Sequence, residues 1–169
     1  DMGEVLVTGA TGGVGTLAVA LLAKAGYRVV AATGKTEQAE LLQRLGATET
    51  IHRSALEEGS DKALLKQRWA AVVDTVGGPI LANAIKSTVA NGWVTACGNV
   101  ASPDLNLTVY PFILRGVSLL GIDAANAAPE IRRALLAKLL TTWRVELPPE
   151  LITVTDLDGL SAQIDRTLQ

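Results

Sequence analysis

The sequence predicts an α/β chain with a doubly wound, parallel, six-stranded sheet and helices on both faces. Three observations predict it. Short β-rich runs alternate with longer stretches at helical spacing, the pattern of parallel strands joined by crossover helices. One run, Ala70-Ala71-Val72-Val73-Asp74, is apolar with little alternation, as a strand buried on both faces is. A glycine-rich turn joins the first strand directly to the first helix.

Each element follows from local signals. Glu4 to Thr8 is a strand bounded by Gly3 and Gly9. A helix over 14–24 carries Ala18, Leu21 and Leu22 on one face, and Gly26 ends it. Arg28 to Ala32 is the second strand. A helix over 37–45 stops at Gly46, and Glu49 to His52 makes a short third strand. The spacing of 62–68 predicts a short helix before the fourth strand at 70–74. Pro79 opens the next helix, where its missing N–H does no harm, and that helix runs to about Val89. Gly92 to Ala96 and Val117 to Ile122 are the fifth and sixth strands. A long amphipathic helix over 129–143 keeps Arg132, Arg133 and Lys138 on its wet side. A short edge strand at 152–154 and a helix over 157–168 complete the pattern.

Composition bounds the function. The 169 residues fit one domain with a sizeable core. Hydrophobic residues make up 49%, which excludes a disordered chain. Fifteen Lys and Arg oppose seventeen Asp and Glu, so the net charge of −2 argues against a nucleic-acid binder. Apolar stretches are broken well short of the ~20 residues that cross a bilayer, so no membrane partner is expected. One cysteine, Cys97, allows no internal disulfide, and with the single His52 it cannot build a zinc site alone. Asp1 to Val7 has no basic flank before its apolar run, so the chain reads as cytoplasmic.

The turn Gly9-Ala10-Thr11-Gly12-Gly13-Val14-Gly15 carries the first functional signal. Against G-x-G-x-x-G its register is Ala10-x-Gly12-x-x-Gly15, with alanine in the first glycine's place. Gly12 lets a pyrophosphate approach the backbone, and Gly15 lets the helix pack on the strand. The N–H groups around Gly13 and Val14 face an anion at the positive helix end. The strand before and helix after are the context this dinucleotide-binding motif requires, and they favour that version of the fold over the flavodoxin-like order.

In NAD-binding relatives of this fold an acid at the end of the second strand holds the ribose 2′-hydroxyl. Here Thr33-Gly34-Lys35 stands there, and no carboxylate appears before Glu37. A hydroxyl followed by a cation suits a 2′-phosphate, so NADP(H) is the expected cofactor.

The segments VLVTGATGGVGTLAVALLAKAGYRVVAATGK, LGATETI, VVDTVGG, VTACGN and YPFILRGVSLLGID occur in one order over about residues 4–123. In that order they resemble the cofactor-binding domain of medium-chain dehydrogenase/reductases, in the zinc-independent branch of quinone oxidoreductases and acryloyl-CoA reductases. The resemblance implies a Rossmann domain carrying NADPH, with hydride transfer to an activated C=C bond or a quinone. It implies a pyrophosphate loop at Thr11, Gly12, Gly13 and Val14. Thr33 and Lys35 match the 2′-phosphate positions, and Arg53 a basic position near the adenosine phosphate. Val76 lies near the expected nicotinamide ribose. Cys97, Gly98, Asn99, Gly121 and Ile122 match the nicotinamide end.

The resemblance also implies what is not in this sequence. Members of that branch carry a β-rich, GroES-like catalytic domain that forms the other wall of the substrate cleft. The chain is therefore expected to be one NADP(H)-binding domain, an excised or proteolytic piece, that does not turn over substrate by itself. A homodimer through the sixth strand is expected, since that edge is apolar.

Other residues read as structural. Cys97 is a small apolar residue at a strand end with no histidine near in sequence. His52 is a strand-end residue. Asp74 is a hydrogen-bonding residue of the VDTVGG turn, and Tyr110 a packing residue. Two alternatives share the glycine turn: an enoyl reductase module of a polyketide or fatty-acid synthase, and a non-catalytic NADP(H) sensor. A short-chain dehydrogenase is disfavoured, because neither Tyr27 nor Tyr110 has a lysine four residues on.

Overall fold

A computed structural model describes residues 3–59 and 61–168. Six parallel strands form one sheet in the order β3-β2-β1-β4-β5-β6. They are β1 (Glu4–Val7), β2 (Arg28–Thr33), β3 (Glu49–His52), β4 (Trp69–Asp74), β5 (Thr88–Ala96) and β6 (Ser118–Gly121). The order reverses between β1 and β4, which opens a crevice at their carboxyl ends. This is the expected doubly wound Rossmann sheet.

Helices α1 (Gly13–Lys24) and α2 (Ala39–Arg44) cover one face. Their Val19, Ala20 and Leu42 pack with Val7, Val29 and Ala31 of the sheet. Helix α3 (Gly78–Lys86) covers the other, where Ile80, Leu81 and Ile85 meet Leu6, Val30, Ala32, Val72 and Val94. Consecutive residues of β2 thus feed opposite cores, so β2 needs an apolar residue at every interior position.

Four expectations change. Residues 62–68 form no helix. Leu65 N–H donates to Lys86 O at 3.0 Å and Arg68 N–H to Ser87 O at 2.8 Å, so the backbone groups of this segment are taken by the end of α3. The helix expected to reach Val89 stops at Lys86, and β5 starts at Thr88. The register of β4 with β5 jumps from Trp69↔Thr88 to Ala71↔Trp93, and Asn91 takes a left-handed φ of 60° within that irregular stretch. Residues 152–154 join no ladder among the described residues, and Ile152 and Val154 are exposed on a segment that follows a 3-10 turn at Pro149–Leu151. Helix α4 (Tyr110–Arg115), absent from the sequence reading, starts with proline in its first turn and ends at Gly116 with φ 60°.

Beyond β6 the chain carries α5 (Pro129–Leu140) and α6 (Leu160–Leu168), both shorter than expected. Arg132, Arg133 and Lys138 are exposed as predicted, but so are Ile131, Leu135 and Leu139 on the helix's apolar stripe.

The turn from β1 into α1 is set by close backbone approach. A Cβ at Gly15 would lie 2.2 Å from Gly9 O and 2.7 Å from Ala10 Cα, both main-chain atoms that cannot swing aside. A Cβ at Gly13 would meet nothing within 4 Å. Gly15→Ala is therefore expected to cost about 1–3 kcal/mol or more through overpacking, whereas Gly13→Ala gains up to about 1 kcal/mol from helix propensity. Urea unfolding of the two variants measures the contrast, and equal midpoints would contradict this packing.

Candidate functional site

The crevice is built by the residues that follow the strands. After β1, Gly9 turns with φ 58°, and Gly12 N–H donates to Gly9 O at 2.9 Å. Gly9 thus takes the left-handed turn that the motif gives its first glycine, while Ala10, in that glycine's register, is fully buried and donates its N–H to Ala32 O at 3.0 Å. The role of Gly9 was missed because register was counted from Ala10. Its signal was the glycine directly after the strand.

Gly12 caps α1 without a side-chain bond. The N–H groups of Gly13 and Val14 have no acceptor among the described residues and lie exposed. They are the positive end of a 12-residue helix.

After β2 the geometry tightens. Thr33 is 3% exposed. Its hydroxyl meets the Thr11 hydroxyl at 3.0 Å and accepts Lys35 N–H at 3.0 Å. Arg53 arrives from the end of β3 and lies against Gly34. A Cβ at Gly34 would come within 3.1–3.3 Å of the Arg53 Nε, Cδ and Cζ atoms. The side chains of Lys35 and Arg53 form no ion pair or hydrogen bond among the described residues. Gly34 is a second residue the sequence reading missed, since only the fold brings Arg53 across it.

After β4, Asp74 is fully buried. It accepts the Thr8 hydroxyl at 2.6 Å, Gly77 N–H at 2.8 Å and Val76 N–H at 3.2 Å. Burial pushes its carboxyl above the ordinary value, and these three bonds oppose that shift. The expected structural role in the turn is what the geometry shows. After β5, Cys97 donates its N–H at 2.9 Å and its thiol at 3.2 Å to Asp74 O. Gly98 runs so close to Thr75 that a Cβ would be 2.4 Å from Thr75 O. Asn99 lies against Gly77, its Cα 3.1 Å from where a Cβ would stand. Gly121 ends β6, and Ile122 N–H donates to Ala96 O at 2.9 Å.

A cleft of about 580 Å3 joins these turns. Thr11, Gly12, Thr33, Lys35, Arg53 and Val76 all line it. Gly13 and Val14 stand at the start of α1, while Cys97, Gly98, Asn99, Gly121 and Ile122 lie along the ends of β5 and β6, outside this cleft. Val100 and Ala101, which the sequence reading passed over, also line it.

A family profile described as zinc-binding dehydrogenase matches residues 13–141. The chain belongs to this family. It lies in the medium-chain dehydrogenase/reductase superfamily, in agreement with the resemblance read from the motifs. Among relatives of the zinc-binding dehydrogenase family, YhfP of Bacillus subtilis, assigned as a quinone oxidoreductase, is 46% identical over 92% of this chain and 46% of its own length. The acrylyl-CoA reductase AcuI of Ruegeria pomeroyi is 42% identical over 96% of this chain and 50% of its own. The chain therefore spans about half the length of the curated relatives it matches. The crystal structure of YhfP with NAD bound superposes with a TM-score of 0.86, at 41% identity, covering 100% of this chain and 53% of that one. That of Escherichia coli YhdH with bound NADPH gives 0.81 at 42% identity, covering 88% and 44%.

The family description names zinc, and the donors here do not fit it. Among the described residues no group of three or more His, Cys, Asp and Glu is placed to hold a metal ion. Asp74, beside Cys97, has both carboxylate oxygens committed to Thr8 and the turn.

Burial first, and the Asp74 charge second, push the Cys97 thiol above its ordinary value. The thiolate fraction at a given pH is then smaller than that of a free thiol. Cys97 is expected to react with iodoacetamide at pH 8 severalfold more slowly than glutathione, despite its exposure. Mass spectrometry of the alkylation time course checks this, and a faster rate would contradict it.

Proposed function

We propose that this chain is the NADP(H)-binding domain of an oxidoreductase that delivers hydride to an activated C=C bond or a quinone. The observation that carries the cofactor choice is the end of β2. Two cations without anionic partners among the described residues, Lys35 and Arg53, flank the hydroxyl pair of buried Thr33 and half-buried Thr11, and no carboxylate stands where one would read a ribose 2′-hydroxyl. The related crystal structures hold NAD in one case and NADPH in the other, so the preference is argued from these residues. The relatives' assignments support the reaction class. They do not favour the synthase-module or sensor readings.

In this reading the free N–H groups of Gly13 and Val14 bind the pyrophosphate, with Gly12 leaving room for it. Thr11 and Thr33 offer hydroxyls, and Lys35 and Arg53 charge, to the 2′-phosphate. Val76 borders the nicotinamide ribose, and Cys97, Gly98, Asn99, Gly121 and Ile122 border the nicotinamide. The bound nicotinamide supplies the hydride. The residues of this chain bind and orient, and none of them moves a proton. The substrate pocket is shared with a catalytic domain outside this sequence. We further propose a cytoplasmic homodimer paired through β6, an edge strand with Leu120 exposed.

Lys35→Ala and Arg53→Ala are each expected to weaken NADPH about tenfold and to leave NADH unchanged, with smaller losses at high salt. Gly34→Asp would set a carboxylate against Arg53 and reverse the preference. Calorimetric titration with both cofactors tests this. Equal losses for NADPH and NADH would remove the 2′-phosphate assignment.

A further inference from the structure

We infer that Asp74 is a positioning residue for the cofactor cleft, its buried carboxylate holding the glycine turn after β1 in register with the turn after β4. The inference rests on the cleft being the cofactor site.

The cleft has one wall at Gly9 and Gly12 and another at Thr75 and Val76. The β1–β4 ladder ends just below them, at Val7↔Val73 and the bond from Thr8 N–H to Val73 O. Above that level the two chain segments are tied through side chains. The Thr8 hydroxyl donates to Asp74 Oδ1 and accepts Thr75 N–H at 3.1 Å. The Thr75 hydroxyl donates to Thr8 O at 3.0 Å. Asp74 Oδ2 takes the N–H groups of Val76 and Gly77. One carboxylate therefore sets where Thr8, next to Gly9, stands relative to Val76.

The walls have little slack. A Cβ at Gly9 would fall 2.3 Å from Thr75 Oγ1 and 3.1 Å from Val76 Cγ2. Gly9 and Gly77 both hold left-handed φ values, 58° and 73°. A shift of either turn is transmitted to the other and changes the width available to a pyrophosphate and ribose.

The turn after β5 brings the thiol of Cys97 beside the carboxylate. Burial raises the Asp74 carboxyl, so it protonates at a less acid pH than an exposed aspartate. For stability the sign is fixed by linkage. A raised carboxyl contributes stability that is present at low pH and lost as pH rises through its folded value. The hold on the turn does not require the charge, because protonation at Oδ1 leaves Oδ2 to accept the N–H groups of Val76 and Gly77. Falling pH thus strengthens this group's contribution to the fold and leaves its hold on the turn in place.

The test is NADPH titration of the whole chain by fluorescence at neutral pH, for wild type, Asp74→Ala, Asp74→Asn and Thr8→Val. Folding is followed by circular dichroism, and exchange of the Val76 and Gly77 amides by NMR. Asp74→Ala is expected to weaken NADPH about tenfold or more and to speed exchange at both amides. Asp74→Asn can turn its oxygen to those amides and its NH2 to Thr8, so it is expected to restore most of the affinity. Thr8→Val, which keeps the charge and removes the link, is expected to fall between them. A folded Asp74→Ala that binds like wild type overturns the inference, as does an Asp74→Asn that binds as weakly as a folded Asp74→Ala. If Asp74→Ala does not fold, wild-type affinity in Thr8→Val overturns it. Wild type that binds neither NADPH nor NADH removes the cofactor reading itself, and the inference with it.

Discussion

The start of α1 passes the end of β1 at a separation that only glycine allows, and much of the site depends on that approach. Gly15 sits where any Cβ would enter the main chain of Gly9 and Ala10. With that contact made, the free N–H groups of Gly13 and Val14 point from a fixed place beside the sheet. The placement of the exposed N–H groups at the start of the helix and the packing of α1 on β2 are thus consequences of one steric constraint.

The second organising feature is the reversal of strand order between β1 and β4. Neighbouring crossovers leave to opposite faces there, so neither covers the carboxyl ends of the two strands. The exposed strand ends are then held by side chains rather than by a ladder. Thr8, Asp74 and Thr75 make the join, and Gly98 allows the β5 turn to close upon it. The polar groups of this join are buried or half-buried and satisfied, which is how such a network survives among apolar layers.

Charge enters from a different direction. Lys35 is local to β2, but Arg53 comes from the far side of β3 and reaches over Gly34. Their sequence separation conceals that they are neighbours. The pair adds positive potential at one end of the cleft in a chain whose net charge is −2. It is this local arrangement, and not the overall balance, that matters for an anionic ligand.

The sequence by itself determined the layered α/β architecture, the six strands of the sheet and the glycine turn, and its family motifs pointed to Thr11, Gly12, Thr33, Lys35, Arg53 and Val76, which the fold brings to one cleft. Periodicity and turn chemistry are local and survive in any context that lets the layers pack. Tertiary structure alone decided the rest. The 62–68 segment has helical spacing, but α3 takes its N–H groups, and a hydrogen bond already made elsewhere outweighs weak propensity. Gly9 and not Ala10 makes the turn, because the sheet buries Ala10 against Ala32. Gly34 matters because Arg53 lies on it, and Asp74 because Thr8 and the turn at Val76 and Gly77 converge on it. Each of these depends on contacts between residues far apart in the chain, whose distances are set by packing.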